Sequence, residues 1–187
     1  MNAFGNNEEG GFALLVITGS MGSGKTTALA EAADLLSQRN IAHAAIDLDA
    51  FAVAHFPTAA DNDAMMVRNL RDVVRNCAEA GIRRFMLARA IEDRAQLDLI
   101  FNIIPAQQTV VCRLNASIDA MERRVAMREP GMLQDRLVAR VAELNRILDR
   151  AALEDFTIEN EDRPLTEVAL EMLCQAGWIA AGNAVPS

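Results

Sequence analysis

A short segment near the N-terminus combines glycines, hydroxyl side chains and a lysine at a spacing suited to holding a polyphosphate. Gly19–Thr26 reads GSMGSGKT and fits the pattern GxxxxGK[ST] at every fixed position. Glycines let the backbone curl so that its N–H groups point inward and form an anion nest. We expect Lys25 to reach the β- and γ-phosphates of a nucleotide and Thr26 to ligate Mg²⁺.

The flanking sequence supports this interpretation over a chance glycine- and serine-rich turn. A continuous apolar run, Phe12–Thr18, predicts a buried parallel strand directly before the motif. A helix is predicted from Gly24 or Lys25 to about Arg39, and its positive end would face the same phosphates. The loop residues predicted to bind the nucleotide are Gly19, Ser20, Met21, Gly22, Ser23, Gly24, Lys25, Thr26 and Thr27.

A pair of aspartates follows the second predicted strand, which ends Ile46-Asp47-Leu48-Asp49. Open α/β sheets bind ligands at the carboxyl ends of their strands. If the strand stays extended, Asp47 and Asp49 project to the same side. We predict that one acid holds the waters around Mg²⁺ and the other accepts a proton from an attacking hydroxyl. Asp49 is the preferred base because it lies further out, and Asp47 would support the substrate or the metal, with Thr26 as the other metal residue. The alternative is that the two acids only solubilise a loop.

Two arginines on a later helix are candidates for stabilising a transferring phosphoryl group. On the helix predicted at about 117–128, Arg124 and Arg128 lie on one flank of the buried stripe. We expect both to be catalytic, Arg124 also to contact the nucleotide, and the segment at about 123–135 to form a lid. Pro130-Gly131 supplies its hinge. The alternative is a surface row of arginines paired with neighbouring glutamates.

Further candidates are predicted to line the acceptor site. Asn69 would hydrogen-bond the substrate or only cap a polar gap. Arg140 lies at the edge of an apolar stripe and would face phosphate or bridge an internal acid. The remaining candidates are Phe51, His55 and Arg89, and Arg89 shares its strand edge with Glu92 and Arg113, for which loop salt bridges are the alternative.

Five predicted strands alternate with helices, which indicates an α/β, doubly wound domain with a mostly parallel sheet flanked by helices. The chain divides into a flexible leader at 1–11, one domain at 12–180 and a flexible tail at 181–187. The strands are expected at Phe12–Thr18, Ile41–Asp47, Ile82–Ala88, Thr109–Leu114 and Phe156–Glu159. The helices after the first are expected at about Asn62–Ala80, Glu92–Ile103, Ser117–Arg128, Leu133–Ala151 and Leu165–Ala176.

Charge and composition limit the kinds of molecule that the protein is expected to bind. The 187 residues carry a net charge of −8 with a pI near 4.8, which argues against a general nucleic-acid surface. Lys25 is the only lysine among 18 basic residues. The apolar run before the loop is too short for a signal or a membrane span, so we expect a cytoplasmic protein, either monomer or homodimer, without a membrane partner.

The order of P-loop, helix and strand ending in DxD is similar to that of the small-molecule kinases that include adenylylsulfate, shikimate and gluconate kinases. The chain looks closest to bacterial proteins described as adenylylsulfate-kinase-like. The resemblance implies a three-layer P-loop kinase fold, ATP and Mg²⁺ as cofactors, and contact between Asn160 and the adenine. It spans about residues 13–178 and rests on Gly19–Thr26, Ile46–Asp49, Arg68-Asn69-Leu70, Arg113–Gly131, Phe156–Asn160 and Gly177-Trp178.

One departure from that group affects the substrate. Adenylylsulfate kinases usually carry an Asn and then an Arg soon after DxD, whereas Ala50-Phe51-Ala52 follows here. The apolar segment Phe51–Phe56 therefore favours a partly apolar hydroxyl compound. The predicted function is an ATP-dependent kinase that moves the γ-phosphoryl group to a hydroxyl of a small molecule. The alternatives are a nucleotide-hydrolysing switch or chaperone, adenylylsulfate kinase proper, and a binding protein without catalysis.

Overall fold

The fold is a five-stranded parallel sheet between two layers of helices. The computed structural model describes residues 11–52, 59–129 and 131–180. All pairings in the described sheet are parallel, and the strand order is β2-β3-β1-β4-β5. The predicted α/β class is therefore confirmed, with a fully rather than mostly parallel sheet. The strands are β1 (Phe12–Thr18), β2 (Ala44–Asp47), β3 (Arg84–Ala88), β4 (Ala106–Asn115) and β5 (Phe156–Glu159).

Helices connect successive strands, and two of them begin at recognisable capping residues. Asp93 and Ser117 cap the third and fourth helices by accepting the backbone N–H groups of Gln96 and Ala120. Among the described residues, no helix has the length and apolar composition that a bilayer span requires. The helices are α1 (Lys25–Gln38), α2 (Ala59–Glu79), α3 (Arg94–Ile103), α4 (Ile118–Arg128), α5 (Gln134–Ala151) and α6 (Leu165–Gln175).

The central strand β1 holds the two helical layers together. Its alternate residues face opposite sides: Leu15 and Ile17 pack with α1 and α6, whereas Leu14 and Val16 pack with α2 and α3. These four side chains are completely buried. Burying one such side chain contributes about 1.5–3 kcal/mol, so β1 fixes the position of the loop that follows it.

A third, smaller cluster attaches the α4–α5 hairpin to the phosphate loop. Met121 and Val125 of α4 and Val141 of α5 are fully buried, and Met21 of the loop packs against them. The outer end of this hairpin is different. Met132 is 99% exposed. Leu133, at which the helix was predicted to begin, is 54% exposed and precedes α5.

The second strand is shorter than predicted because the residues expected to begin it form the C-terminal end of α1 and the turn that follows. Asn40 adopts a positive φ of 54°, and the Ile41 N–H donates to the Leu36 carbonyl at 3.0 Å. Strand β2 consequently begins at Ala44. The predicted leader at 1–11, apart from Gly11, and the tail at 181–187 lie outside the described residues.

The expectation of an extended strand through both aspartates is wrong. Directly after Asp47 the chain turns into a 3-10 helix at Leu48–Ala52. Leu48 is completely buried, and the Asp49 N–H donates to the Asp47 Oδ1 at 3.0 Å, a local bond that aspartate favours at turns. Asp47 and Asp49 therefore stand on a turn, with Asp47 half-buried and Asp49 exposed.

Candidate active site

The predicted phosphate loop lies between β1 and α1, at the carboxyl edge of the sheet. Two of its glycines combine a positive φ with a lack of space for any Cβ. Gly22 has a φ of 78°, and a Cβ there would lie 2.3 Å from the Met121 carbonyl oxygen. Gly24 has a φ of 94°, and a Cβ there would lie 2.2 Å from the Asn160 amide nitrogen. The loop is thus closely packed against α4 and the residue after β5.

Lys25 lies at the first position of α1 and folds back over the loop. Its Nζ donates to the carbonyl oxygens of Gly19 at 3.1 Å and Ser20 at 3.0 Å. These two bonds hold the ammonium group against the backbone of the predicted nest. A phosphate in the nest would offer the ammonium a charged acceptor in place of two neutral carbonyls.

The electrostatics around Lys25 connect it to three other predicted residues. Burial lowers the pKa of Lys25 from 10.5 to about 8, against the opposing attraction of Asp49 and then Asp47. The positive charge of Arg128 lowers that pKa further. The two acids and Arg128 are therefore close enough to act on the charge at the loop.

Thr26 and Asp47 bring a hydroxyl and a carboxylate together beside the loop. The Thr26 hydroxyl donates to Asp47 Oδ2 at 2.6 Å across the space between α1 and β2. Mg²⁺ takes oxygen ligands, and it commonly uses one or two protein oxygens together with phosphate oxygens and water. This hydroxyl and carboxylate fit that donor set.

The two predicted lid arginines behave differently. Arg124 donates to the Gly22 carbonyl at 3.2 Å and to the Asn160 carbonyl at 2.8 Å, so it clasps the loop to the residue after β5. Arg128 is 60% exposed on its side chain and pairs with Glu129 at 3.0 Å. That pair matches the alternative of a surface arginine, although the charge of Arg128 reaches Lys25. Pro130 of the predicted hinge lies outside the described residues.

Asn160 is buried and engaged by the loop. Its Nδ2 donates to the Ser23 carbonyl at 2.8 Å, and its backbone N–H donates to the Asn115 carbonyl at 2.7 Å. The residue is only 8% exposed. The geometry makes its amide a brace for the phosphate loop, whereas the sequence predicted contact with an adenine.

Other loop contacts were not predicted from the sequence. The buried Ser20 hydroxyl donates to the Val141 carbonyl of α5 at 2.9 Å, and the Thr18 hydroxyl accepts the Ile91 N–H at 3.0 Å. Both join residues far apart in the chain, and a hydroxyl in a glycine-rich loop carries no sign of its distant partner. The Ser23 hydroxyl is buried without a partner among the described residues.

Glu161 was also missed. It accepts the Ser117 backbone N–H at 2.7 Å and the Ser117 hydroxyl at 2.9 Å. These two hydrogen bonds, the backbone bond first, hold the pKa of Glu161 below its usual value. The carboxylate ties the loop after β5 to the start of α4, and so positions the helix that carries Arg124.

The predicted acceptor-side arginines are engaged by carboxylates. Arg140 donates to Glu92 at 2.8 and 3.0 Å, which matches the alternative of an acid bridge. Arg89 pairs with Asp63 at 2.7 Å. Arg113 is buried within a network of Asp149, Glu154 and Asn145.

The other acceptor-side candidates form local structure. The Asn69 amide donates to the Phe51 carbonyl at 2.8 Å, and so ties α2 to the turn that carries the aspartates. Phe51 is half-buried and packs against the core on the α2 and α3 side of the sheet. His55 lies outside the described residues.

No protein-family model and no curated protein matches this sequence. Solved structures do. A sugar kinase from a Janibacter species superposes with a TM-score of 0.62 at 19% identity, covering 87% of this chain and 92% of that one. An APS kinase from Mycobacterium tuberculosis, in complex with AMPPNP and APS, gives 0.62 at 20% identity, covering 88% and 97%. A gluconokinase from Sinorhizobium meliloti gives 0.61 at 15% identity, covering 90% and 94%.

The chain has the fold of the P-loop small-molecule kinases. The resemblance that the sequence predicted is thereby confirmed for the fold. At these identities the likeness extends to the arrangement of strands and helices, and the roles of individual residues depend on the contacts described above.

Proposed function

We propose that this protein is an ATP-dependent kinase that transfers the γ-phosphoryl group to a hydroxyl of a small molecule. One observation carries the proposal: the P-loop hydroxyl of Thr26 contacts Asp47, and a second, exposed carboxylate, Asp49, stands two residues further on. A P-loop that only binds nucleotide has no need of a second, exposed acid beside the one that contacts Thr26. We also propose that the acceptor is a small molecule and that the reaction takes place in the cytoplasm.

Nucleotide binding would use the nest of loop N–H groups and the start of α1. Lys25 would leave the Gly19 and Ser20 carbonyls for the phosphate oxygens, and Thr26 and Asp47 would hold Mg²⁺. The metal would neutralise charge on the phosphates. Arg124 keeps the loop in shape through its bond to Gly22.

Asp49 is the proposed general base. It would take the proton from the acceptor hydroxyl while that oxygen forms a bond to the γ-phosphorus, and the bond from phosphorus to the β-bridging oxygen breaks to release ADP. Lys25 and Arg128 would stabilise the charge that spreads over the γ-phosphoryl oxygens. Arg128 would have to leave Glu129 to do so, and an exposed pair of this kind costs only about 0.2–1 kcal/mol to open.

A screen of hydroxylated metabolites for acceptor-stimulated ADP release tests the proposal, with Asp49→Asn beside the wild type. A positioned base contributes about 10²–10⁴-fold, so the variant should lose that much of kcat with the acceptor found. Mg–ATP should still bind to the variant. Asp34→Asn, an exposed site on α1, is the matched control. If Asp49→Asn kept the wild-type kcat, Asp49 would not be the general base.

A further inference from the structure

The loop after β3 lies between the phosphate loop and the two aspartates. Ala88, the last residue of β3, is in register with Ile17 of β1 on one side and Asp47 of β2 on the other. The Arg89 N–H donates to the Ile17 carbonyl at 3.1 Å. With Ile91 bonded to the Thr18 hydroxyl, this loop is fixed beside the place where an acceptor must meet the γ-phosphate.

Arg140 faces this loop from α5, and carboxylates already compensate its charge. It contacts Glu92 through one guanidinium nitrogen and Glu143 through the other, at 2.8 and 2.9 Å. The side chains of Arg140 and Glu92 are 33% and 35% exposed, so a ligand has access to both. The neighbouring Val141 carbonyl accepts the Ser20 hydroxyl, which holds this turn of α5 against the phosphate loop.

Arg89 is held in a similar way but is less accessible. It pairs with Asp63 and also contacts the Met66 sulfur. The crevice at this pair has a volume of about 20 Å³. That is room for about one water molecule, so an oxyanion would not reach the guanidinium unless the pair opened.

A larger cleft lies along α5, where Arg140 and Glu143 stand with the apolar side chains of Leu133 and Leu137. Its volume of about 540 Å³ is in the range of small-molecule sites. Arg136 also borders the cleft. Like Glu143, whose side chain is 56% exposed, it lies where water and salt weaken its field.

The charges on this side of the phosphate loop therefore favour one class of acceptor. Two arginines, Arg89 and Arg140, are paired with three carboxylates, which belong to Asp63, Glu92 and Glu143. A carboxylate, sulfate or phosphate on the acceptor would have to displace one of these acids or lie beside it. Either event opposes binding, which is how unpaired like charges exclude a wrong ligand.

We propose that the acceptor is a polyhydroxylated compound without a carboxylate, sulfate or phosphate group, and that Glu92 selects for it. This inference rests on the proposed kinase function. The Glu92 and Glu143 oxygens would accept hydrogen bonds from acceptor hydroxyl or ammonium groups, while the apolar wall of the cleft packs against its carbon skeleton. Glu92 is a specificity residue, and the proton transfer remains with Asp49.

Sulfate is a probe that needs no knowledge of the acceptor. With Mg²⁺ and AMPPNP filling the phosphate loop, calorimetry would compare sulfate binding to the wild type and to Glu92→Gln. Removing the acid partly frees Arg140, so sulfate should bind about fivefold to tenfold more tightly to the variant. Glu79→Gln, an exposed site at the end of α2, should bind sulfate as the wild type does.

A second variant covers the case in which Glu92→Gln does not fold. Asp63→Asn frees Arg89, and it should likewise raise sulfate affinity. Equal sulfate affinity in the wild type and in the folded variants would overturn the inference, because the carboxylates would then not determine which charges the cleft accepts.

A matched acceptor series gives the second readout. D-Gluconate, D-glucitol and 1-amino-1-deoxy-D-glucitol share one skeleton and differ in charge at one end. Binding to the protein loaded with Mg–AMPPNP should be weakest for gluconate, and Glu92→Gln should reduce the difference. Tightest binding of gluconate would overturn the inference and leave the proposed kinase function intact. If ADP release occurs with no hydroxyl compound, the kinase function fails, while the sulfate result still decides the charge of the cleft.

Discussion

The two sides of the phosphate loop are built in different ways. On the side of β4, β5 and α4, backbone carbonyls receive the contacts: Arg124 bonds two of them and the buried Asn160 amide bonds another. On the side of β2 and β3, half-exposed side chains pair with each other, as Glu92 and Arg140 do. On the first side, the backbone shape of the loop requires one sequence pattern. On the second side, charged residues can be substituted without disturbing the fold.

The difference follows from what each side must recognise. A triphosphate is the same in every reaction, so a rigid nest of backbone groups suits it. An acceptor varies, and half-exposed ion pairs contribute only about 0.2–1 kcal/mol each, so substituting them costs little stability. We therefore expect substitutions on the nucleotide side to damage binding and folding together, and those on the acceptor side to alter specificity first.

Gly22→Ala should have the largest effect. Its Cβ would meet the Met121 backbone, which cannot move aside as a flexible side chain would, in addition to the cost of a positive φ. Gly81→Ala is the matched control, since Gly81 has a φ of 91° but nothing within 4 Å of its Cβ. We expect a loss of about 1–2 kcal/mol of unfolding free energy for the control and about 1–3 kcal/mol more for Gly22→Ala.

Chemical denaturation and ATP calorimetry would measure both variants. Gly22→Ala should also lose detectable ATP binding, whereas Gly81→Ala should keep it. Equal stability of the two variants would show that the loop is looser than its contacts indicate, and the contrast between the two sides would disappear.

Two asparagines allow a direct comparison of the sides. Asn160 and Asn69 each donate one amide bond of 2.8 Å to a backbone carbonyl, Asn160 to the P-loop and Asn69 to the turn after β2. Removing a buried brace costs about 1–2 kcal/mol, so Asn160→Ala should raise the Kd for Mg–ATP about fivefold to thirtyfold. Asn69→Ala should change that Kd by less than about twofold. If calorimetry showed similar losses of ATP affinity in both variants, the two sides of the loop would not differ as we describe.

The pH dependence of nucleotide binding should also differ between the two sides, with a smaller effect than these substitutions. Because burial lowers the pKa of Lys25 to about 8, the empty protein loses this charge as the pH rises above that value. Phosphate favours the charged form, so binding above pH 8 should take up a proton, and affinity should fall by up to about tenfold per pH unit. On the acceptor side, hydrogen bonds to Glu143 and Glu92 raise the pKa of Arg140, so that charge does not change over this range.

The empty protein should respond with the opposite sign. Between pH 8 and the ordinary lysine value of 10.5, the unfolded chain holds more protons at this group than the native chain does. The contribution of Lys25 to stability therefore rises with pH in that window while ATP affinity falls. Calorimetry in buffers of different ionisation enthalpy would detect the proton uptake, and its absence at pH 9 would mean that Lys25 titrates elsewhere.

The sequence predicted the nucleotide side better than the acceptor side, and the reason is physical. The glycines and Lys25 occur together because one backbone shape requires them, so their spacing alone identifies the loop. The bond between Asn160 and Ser23 joins residues 137 positions apart, and no local pattern announces it. The turn after Asp47 depends on burying Leu48, which only the assembled core decides.

The acceptor arginines show the same limit. The sequence placed Arg89 at the end of a strand, with a substrate contact or a salt bridge as alternatives. It placed Arg140 at the edge of an apolar helix stripe, with phosphate or an internal acid as its partner. Asp63 of α2 becomes the partner of Arg89, and Glu92 becomes the partner of Arg140 of α5, only when these helices come beside the loop after β3. A charged residue shows from sequence that it needs compensation, but the compensating atom is a property of the tertiary structure.

The central claim is that Gly19–Thr26 binds the polyphosphate of ATP and that Lys25 neutralises it. Calorimetric titration of Mg–ATP into the wild type and Lys25→Met near pH 7 tests this most directly, with Arg71→Met, an exposed cation on α2, as the control. Loss of a buried charge-assisted bond of about 1.5–3 kcal/mol or more predicts at least about tenfold weaker binding in Lys25→Met alone. Equal affinity in all three proteins would contradict the account.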